Sequence, residues 1–398
     1  MRKWVCMWAV ALAVMGCFRS ASANGFRFRD DPTLPPQPVV PETTPAPAED
    51  LPYTLGLDAF PAESGEDRRL LLSFLGDCTL GCNEIDHEKK KSIDYFVAQN
   101  GLGYCFDKVR YILEQDDLTV ANLECVLSDT TDGLDRKTKK TYNFRAYASY
   151  TGILAEGSVE AVTLANNHSG DYGQPGFDAT VKAIEESPIE WFGSTDLGGR
   201  AMVYENDGIR IGLVGSYYQY YWQHTDEMQA LFDSLRAEGC QVIIGVIHGG
   251  VEYDKRHDDN QTKEARAFIQ WGADIVIGHH PHVLQGYEVI DGVPVYYSLG
   301  NFVFAGNFNL KTAYTVIMQL ALSFSEDGRF LGSRANFIPC RLSDHEWINR
   351  YQPFPVTGIE AVRAIKKMQY DTKPPYLIAD YTENIGALQD FIPAVIRK

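Results

Sequence analysis

From residue 68 onward, short continuous apolar runs alternate with stretches whose apolar positions recur at helical spacing. Apolar runs of strand length lie at 68–76 ("RRLLLSFLG"), 118–124 ("LTVANLE"), 161–166 ("AVTLAN"), 241–247 ("QVIIGVI") and 273–278 ("ADIVIG"). Between them, the 3.6-residue period predicts helices at 106–115, 149–157, 175–187, 226–239 and 262–272. Two hairpins are predicted at 201–216 and 287–304, turned by Asp207-Gly208 and Asp291-Gly292. Strands that are apolar throughout, separated by helices, read as sheets covered by helices on both faces. The hairpins make the pairing mixed. Thr312 to Pro339 reads as further strands, and the tail to Lys398 as peripheral helix and loop. The pattern therefore predicts an α/β domain over 68–345, with residues 346–398 as a C-terminal extension packed on it.

The first 67 residues do not share this pattern. Arg2 and Lys3 precede an apolar run, Trp4 to Gly16, that is too short to span a bilayer comfortably. Residues 1–23 read as an export signal with two alternative endings. Ala21 and Ala23 suit cleavage before Asn24, whereas "VMGC" would make Cys17 a lipidated N-terminus. Either ending predicts an extracellular or cell-surface protein, attached to the membrane through its signal or lipid anchor alone. Residues 24–67 read as a Pro-rich disordered linker, with eight prolines in the 22 residues from Asp31 to Pro52.

Composition narrows the partners. Hydrophobic residues at 45% and charged residues at 22% suit an ordinary globular core, and the formal net charge is −17. So acidic a chain argues against nucleic acid and is compatible with divalent cations. Cys78, Cys82, Cys105, Cys125, Cys240 and Cys340 lie beyond the signal. An even number permits disulfides in an exported protein, and buried free thiols are the alternative. The spacing Cys78-x-x-x-Cys82 lacks a partner pair, so it is not read as a zinc knuckle.

Metal-ligand chemistry recurs at the ends of the predicted strands. Asp77 ends the first, and Asn122 and Glu124 end the second. The third delivers Asn166, Asn167, His168 and Asp171; the next delivers His248 and Glu252; the last delivers His279, His280 and His282. A lone Asp or Asn after a strand is usually a turn former or helix cap. Five strands agreeing weakens that reading, because open sheets bind ligands beyond the carboxyl ends of their strands. Imidazole mixed with carboxylate and amide oxygens suits Zn, Mn or Fe better than Ca or Mg.

The blocks "FLGDCTLG", "ANLECVLSD", "TLANNHSGDYG", "IHGGVEY" and "ADIVIGHHPHVLQGYEVIDGVPVYYSLGNFVF" resemble the bacterial capsule-synthesis (CapA, poly-γ-glutamate synthesis) family. That family falls within the calcineurin-like metallophosphoesterase superfamily. The resemblance implies two packed mixed β-sheets flanked by helices, a four-layer αββα sandwich with two divalent ions at the strand ends. It implies Asp77, Glu124, Asn167, His248, His280 and His282 as metal ligands, Glu124 taking the bridging place. His168 becomes the acid that protonates the leaving group. Asp171, Glu252 and Asn122 become further ligands or partners that orient them. Two positions depart from the superfamily pattern: Thr79 stands where a histidine is usual, and Glu124 where an aspartate is usual.

Two further residues are substrate candidates. Arg145 in "YNFRA" could hold an anionic group or form a structural salt bridge, and Asn301 in "SLGNF" could touch substrate or serve a turn. The resulting expectation is a metal-dependent hydrolase centre acting on a phosphoester or an anionic amide polymer, in capsule or poly-γ-glutamate-type biosynthesis. Membrane-bound capsule synthesis proteins are the expected protein partners. The alternative is a non-catalytic accessory or polymer-binding component of the same machinery.

Overall fold

A computed structural model describes residues 53–137, 139–372 and 377–396. The expected export signal, Cys17 and the proline-rich run to Pro52 lie outside the described residues. Alternate side chains of the first long strand face different cores, and this splits the molecule into layers. In β1 (Arg68–Thr79), Leu70, Leu72 and Phe74 enter one apolar cluster, whereas Leu75 and Cys78 enter another. Side chains of period two separate Leu75 from the first set, and the register shift between Phe74 and Asp77 brings Cys78 to the same core as Leu75.

The first sheet is built around β1. On one side β1 pairs in parallel with β2 (Leu118–Leu123), which pairs with β3 (Ala161–Thr163), which pairs with β4 (Glu190–Thr195). The second sheet contains β5 (Met202–Asn206), β6 (Ile209–Tyr217), β7 (Val242–His248), β8 (Ile275–His279), β9 (Tyr287–Ile290) and β10 (Val293–Tyr296). Its centre, β6-β7-β8-β10, is parallel, and the β5–β6 and β9–β10 hairpins are antiparallel. Asp207 and Gly208, like Asp291 and Gly292, have positive φ, as a two-residue hairpin turn requires. On the other side of β1 lie β11 (Asn301–Phe304), parallel to its end, and the antiparallel β12 (Tyr314–Phe324) and β13 (Phe330–Arg341). β4 joins the sheets: Glu190, Trp191 and Phe192 pair with β3, and Ser194 pairs with Ser216 of β6.

Between the sheets, Leu72, Phe74 and Val120 share one buried cluster with Leu213, Ile244, Ile275 and Ile277. The far face of the first sheet is covered by α1 (Ile93–Asn100), α2 (Thr151–Glu156) and α3 (Gly173–Glu185). The far face of the second is covered by α4 (Thr225–Ala237) and α5 (Asp259–Trp271), through Phe232, Leu235, Ala265 and Phe268. This is the four-layer αββα arrangement expected. Each fully buried Leu or Phe stabilises it by about 1.5–3 kcal/mol. Helix α5 starts at a reciprocal cap between Asp258 and Gln261 and stops at Gly272.

Several sequence expectations change. The helix expected at 106–115 contracts to Arg110–Leu113. Strand β4 and helix α1 carry no strong pattern in the sequence and emerge from packing. Residues 53–67 are not linker: Tyr53 and Phe60 are buried, and Phe60 packs with Leu71 and Ala321. The C-terminal extension adds short strands to β13 at Phe354–Pro355, Ala387–Leu388 and Ile392–Pro393, and a helix, α6 (Gly358–Gln369). All six cysteines among the described residues are buried and free. Among the described residues, no helix is long and apolar enough to cross a membrane.

Candidate metal centre

Because β1, β2, β3, β7 and β8 run parallel to their neighbours, their carboxyl ends meet at one edge. Asp77 is in register with Asn122 and Asn122 with Thr163, and across the other sheet His248 is in register with His279. Close backbone approach fixes the edge. Asp77 N donates to Gly300 O at 2.8 Å, and a Cβ on Gly76 would lie 2.0 Å from that same oxygen. The His279–His282 segment turns sharply, with φ of 98° at His280 and 59° at His282. Left-handed backbone at non-glycine residues is costly, and such strain concentrates at functional sites.

Two donor groups result. One is Glu124, His248 and His280; the other is Asp77, Glu124 and His282; within each, the ligand atoms lie within 4.8 Å of one another. Glu124 belongs to both. His248 Nε2 lies 3.0 Å from Glu124 Oε1, 2.9 Å from Asn167 Oδ1 and 3.1 Å from His280 Nδ1. In the second group, His282 Nδ1 is 2.9 Å from Asp77 Oδ2 and 4.0 Å from Glu124 Oε2. Both Glu124 oxygens are buried and neither makes a well-directed hydrogen bond, the contact of Oε1 being His248 Nε2 and that of Oε2 the more distant His282 Nδ1. One imidazole proton cannot serve three acceptors, whereas ligands around a cation at roughly 2.0–2.2 Å naturally sit about 3 Å apart. The donor set fits a divalent metal.

Charge distribution supports the same reading. Burial pushes the Asp77 carboxyl up, but His279 and His282 more than reverse this and hold it well below the usual carboxylate range. Burial and the Asp77 charge push Glu124 up to about 7. Burial lowers His248 far below an ordinary imidazole, and burial with His248 as neighbour lowers His280 to about 3. Both are neutral at neutral pH, the form that binds metal. At His282 burial opposes the charged form, but Glu124 and Asp77 outweigh it and bring the group to about 9. The adjacent thiols, Cys78 and Cys125, are pushed to about 12 by burial and stay protonated.

The remaining candidates surround this centre. Asn122 Nδ2 donates to Asp77 Oδ1 at 2.8 Å, and Asn122 Oδ1 accepts from Asn166 at 3.0 Å. Asn122 therefore positions ligands. Asp171 is buried and accepts from His168 Nδ1 at 2.8 Å, from Phe144 N at 2.8 Å and from Lys140 Nζ at 2.6 Å. His168 stacks on Phe144 with ring centroids 4.4 Å apart and belongs to neither donor group. Thr79, at the departing position, donates from Oγ1 to Glu124 O at 3.3 Å and so steadies the shared carboxylate's backbone.

Glu252 is exposed, belongs to neither donor group and lines an open recess of about 410 Å³ with Tyr253, Arg256 and Tyr370, though its charge still acts on His280 and His282. Arg145 spends its fork on Glu84, at 2.8 and 3.0 Å, and its other nitrogen on Ser128 O at 2.7 Å. That makes it a salt-bridge residue rather than a free substrate contact. Asn301 is in register with Asp77 and buried, with Oδ1 unpartnered.

Sequence reasoning missed two residues. Lys140, within the basic run "DRKTKK", reaches Asn167 O at 2.8 Å as well as Asp171. His279, which the family resemblance leaves out of the ligand set, brings Nδ1 to 3.3 Å from Asp77 Oδ1. The run of basic residues was a usable signal for the first; nothing in the sequence separates His279 from its neighbours.

Comparison with known proteins follows this geometry. The family model for bacterial capsule synthesis protein PGA_cap matches residues 71–306, a span that holds every donor above. The chain is 27% identical over 274 residues to the capsule biosynthesis protein CapA of Bacillus anthracis, covering 61% of this chain and 62% of that one. It is 26% identical over 288 residues to the PGA biosynthesis protein CapA of Bacillus subtilis strain 168, covering 66% and 70%. The aligned part thus spans less than two thirds of the first relative's length. Two solved structures are distant likenesses. One is a Thermus thermophilus protein described as hypothetical (TM-score 0.42, 16% identity, 68% of this chain and 99% of that one). The other is Haemophilus influenzae NAD nucleotidase (TM-score 0.37, 14% identity, 77% and 57%). With the family's match covering more than half its length, the chain belongs to the bacterial capsule synthesis protein PGA_cap family.

Proposed function

We propose that this chain is an exported, surface-located capsule-biosynthesis protein whose strand-end cluster binds divalent metal and hydrolyses a bond in an anionic polymer or phosphoester. One observation carries the reading: a fully buried Glu124, neither oxygen of which makes a well-directed hydrogen bond, is shared by two donor groups. An unpaired buried carboxylate is expensive, and a cation on each side removes the cost. Asp77, His282 and one Glu124 oxygen would hold one ion; His248, His280, Asn167 and the other oxygen would hold the second. Bound metal there would supply Lewis-acid polarisation and a water acidic enough to attack at neutral pH.

The chain's own groups supply the rest. The Asp171 carboxylate fixes the His168 ring through Nδ1, leaving Nε2 to deliver a proton to a departing group. Phe144 holds that ring from one face. His279 and Asn122 fix the Asp77 carboxylate so that its orientation does not depend on substrate.

The test is metal content by elemental analysis of the full chain, beside a His280→Ala/His282→Ala variant, after exposure to Mn, Zn or Fe. Close to two equivalents at this centre in the parent and a clear loss in the variant are expected. No metal there in any condition would overturn the catalytic reading and leave a polymer-binding accessory protein.

A further inference from the structure

A second cluster lies beyond the end of β1 and shares no residue with the centre above. Cys82 is fixed by a two-way backbone exchange with Arg145, its N donating to Arg145 O at 3.2 Å and its O accepting the return bond at 3.1 Å. His87 follows a tight turn over Glu84–Asp86, and its carbonyl accepts from Ser92 Oγ at 2.9 Å. Ser92 also caps α1, which places Asp94 in that helix's first turn. Three separate local structures thus aim a thiol, an imidazole and a carboxylate at one point, with the ligand atoms within 4.8 Å of one another. We propose that Cys82, His87 and Asp94 form a separate site for Zn2+ or a similar borderline divalent cation.

The hydrogen-bond accounting at His87 points to a cation. Its Nδ1 lies 3.0 Å from Asp94 Oδ2, while its buried Nε2 has no hydrogen-bond partner and faces Glu84 Oε2 at 4.0 Å. A neutral ring carries one proton. Placed on Nδ1, the proton leaves a bare Nε2 lone pair facing a carboxylate. Placed on Nε2, it leaves Nδ1 and Asp94 Oδ2 as two acceptors in contact. A metal ion bridging Nδ1 and Oδ2 resolves the conflict, because the proton then stays on Nε2 towards Glu84. A carboxylate behind a metal-bound imidazole is the usual supporting contact.

The other ligands fit the same ion. Tyr150 OH donates to Asp94 Oδ1 at 2.8 Å, which leaves Oδ2 for the metal. Cys82 Sγ sits 3.9 Å from that same Oδ2, and the residue is buried. Burial first, then the Asp94 charge, pushes the free thiol well up, so metal entry exchanges a thiol proton for the cation and releases that proton to solvent. Thiolate, imidazole and carboxylate together select a borderline metal such as Zn2+. Asp94 is the least covered ligand, its side chain 14% exposed, and marks the open side.

Co2+ titration of the full-length chain tests this, because the first centre offers nitrogen and oxygen donors and no thiolate. A thiolate-to-cobalt charge-transfer band in the near ultraviolet is expected in the parent and in His280→Ala/His282→Ala. It should vanish in Cys82→Ser. Should Cys82→Ser fail to fold, Asp94→Asn keeps the shape and is expected to bind Co2+ at least about tenfold more weakly. Absence of the band at saturating Co2+ would overturn the site and leave His87 as a hydrogen-bond partner of Asp94. A band that persists in a folded Cys82→Ser protein, or that vanishes in a folded His280→Ala/His282→Ala protein, overturns it as well.

Discussion

At the scale of single residues, Glu124 is the most informative side chain. It is shared between two donor groups and is buried without a well-directed hydrogen bond, so a cation there would offset the cost of burying it. Two outcomes are expected from Glu124→Gln. Metal content at this centre should fall for both ions, whereas His280→Ala should remove mainly the one held with His248; elemental analysis separates the two. The metal-free variant should also melt above the metal-free parent, by roughly 2–4 °C per kcal/mol recovered, because a neutral amide is cheaper to bury. A lower melting point would mean that the 3.0 Å contact between Glu124 Oε1 and His248 Nε2 stabilises the metal-free protein. Asp171→Asn should leave metal content unchanged while slowing turnover by about 10- to 100-fold, with kcat falling and KM little affected. The donors were legible in the sequence because strand ends punctuate apolar runs. Lys140 was not, because its contact with Asp171 crosses thirty-one positions of chain and depends on how a loop returns.

At the scale of elements, the strands that position the centre were readable from uninterrupted apolar runs, and the hairpins from Asp-Gly turns. β4 was not, because "EWFGST" is short, mixes polar with apolar residues and draws its stability from joining two sheets. The 106–115 helix failed for the opposite reason. Its spacing is helical, yet Cys105, Phe106, Val109, Ile112 and Leu113 are buried by compact turns that suit the layer better than a regular helix. The junction of β1 and β11 is the element on which site geometry rests. Gly76→Ala should be destabilising by several kcal/mol and lower metal affinity too, since its Cβ meets backbone rather than a movable side chain. Urea unfolding and metal titration of one preparation would check both; an Ala variant of parental stability would show that the strands can part without cost.

At the scale of the whole molecule, two acidic groups sit by the opposite ends of the strands. Burial, against the opposing bond from Thr119 Oγ1, raises Asp116 to about 7, and burial raises the Glu160 carboxyl to about 7 despite the Thr119 backbone bond. A carboxyl whose folded value exceeds its unfolded one binds protons more tightly when folded, so its contribution to stability falls as pH rises from about 4 to about 7. Asp116→Asn/Glu160→Gln should flatten that part of the profile, measured by urea unfolding at several pH values. An unchanged slope would assign it to other groups. The layered fold was legible because both sheets obey one alternation rule. The inclusion of residues 53–67 was not, since a proline-rich lead-in masks Tyr53 and Phe60, whose burial depends on distant strands.

The shared carboxylate also has a consequence for what approaches the protein. The chain carries a formal charge of −17 and should repel anions at long range. Two dications, held as proposed by the carboxylates Asp77 and Glu124 with neutral amide and imidazole donors, would leave a local excess of two positive charges. Salt screens the distant repulsion within about 8–10 Å, while the buried excess is screened far less. Occupied in that way, the strand edge would act as an anion trap set in an acidic surface, holding those anions that get past the screened repulsion.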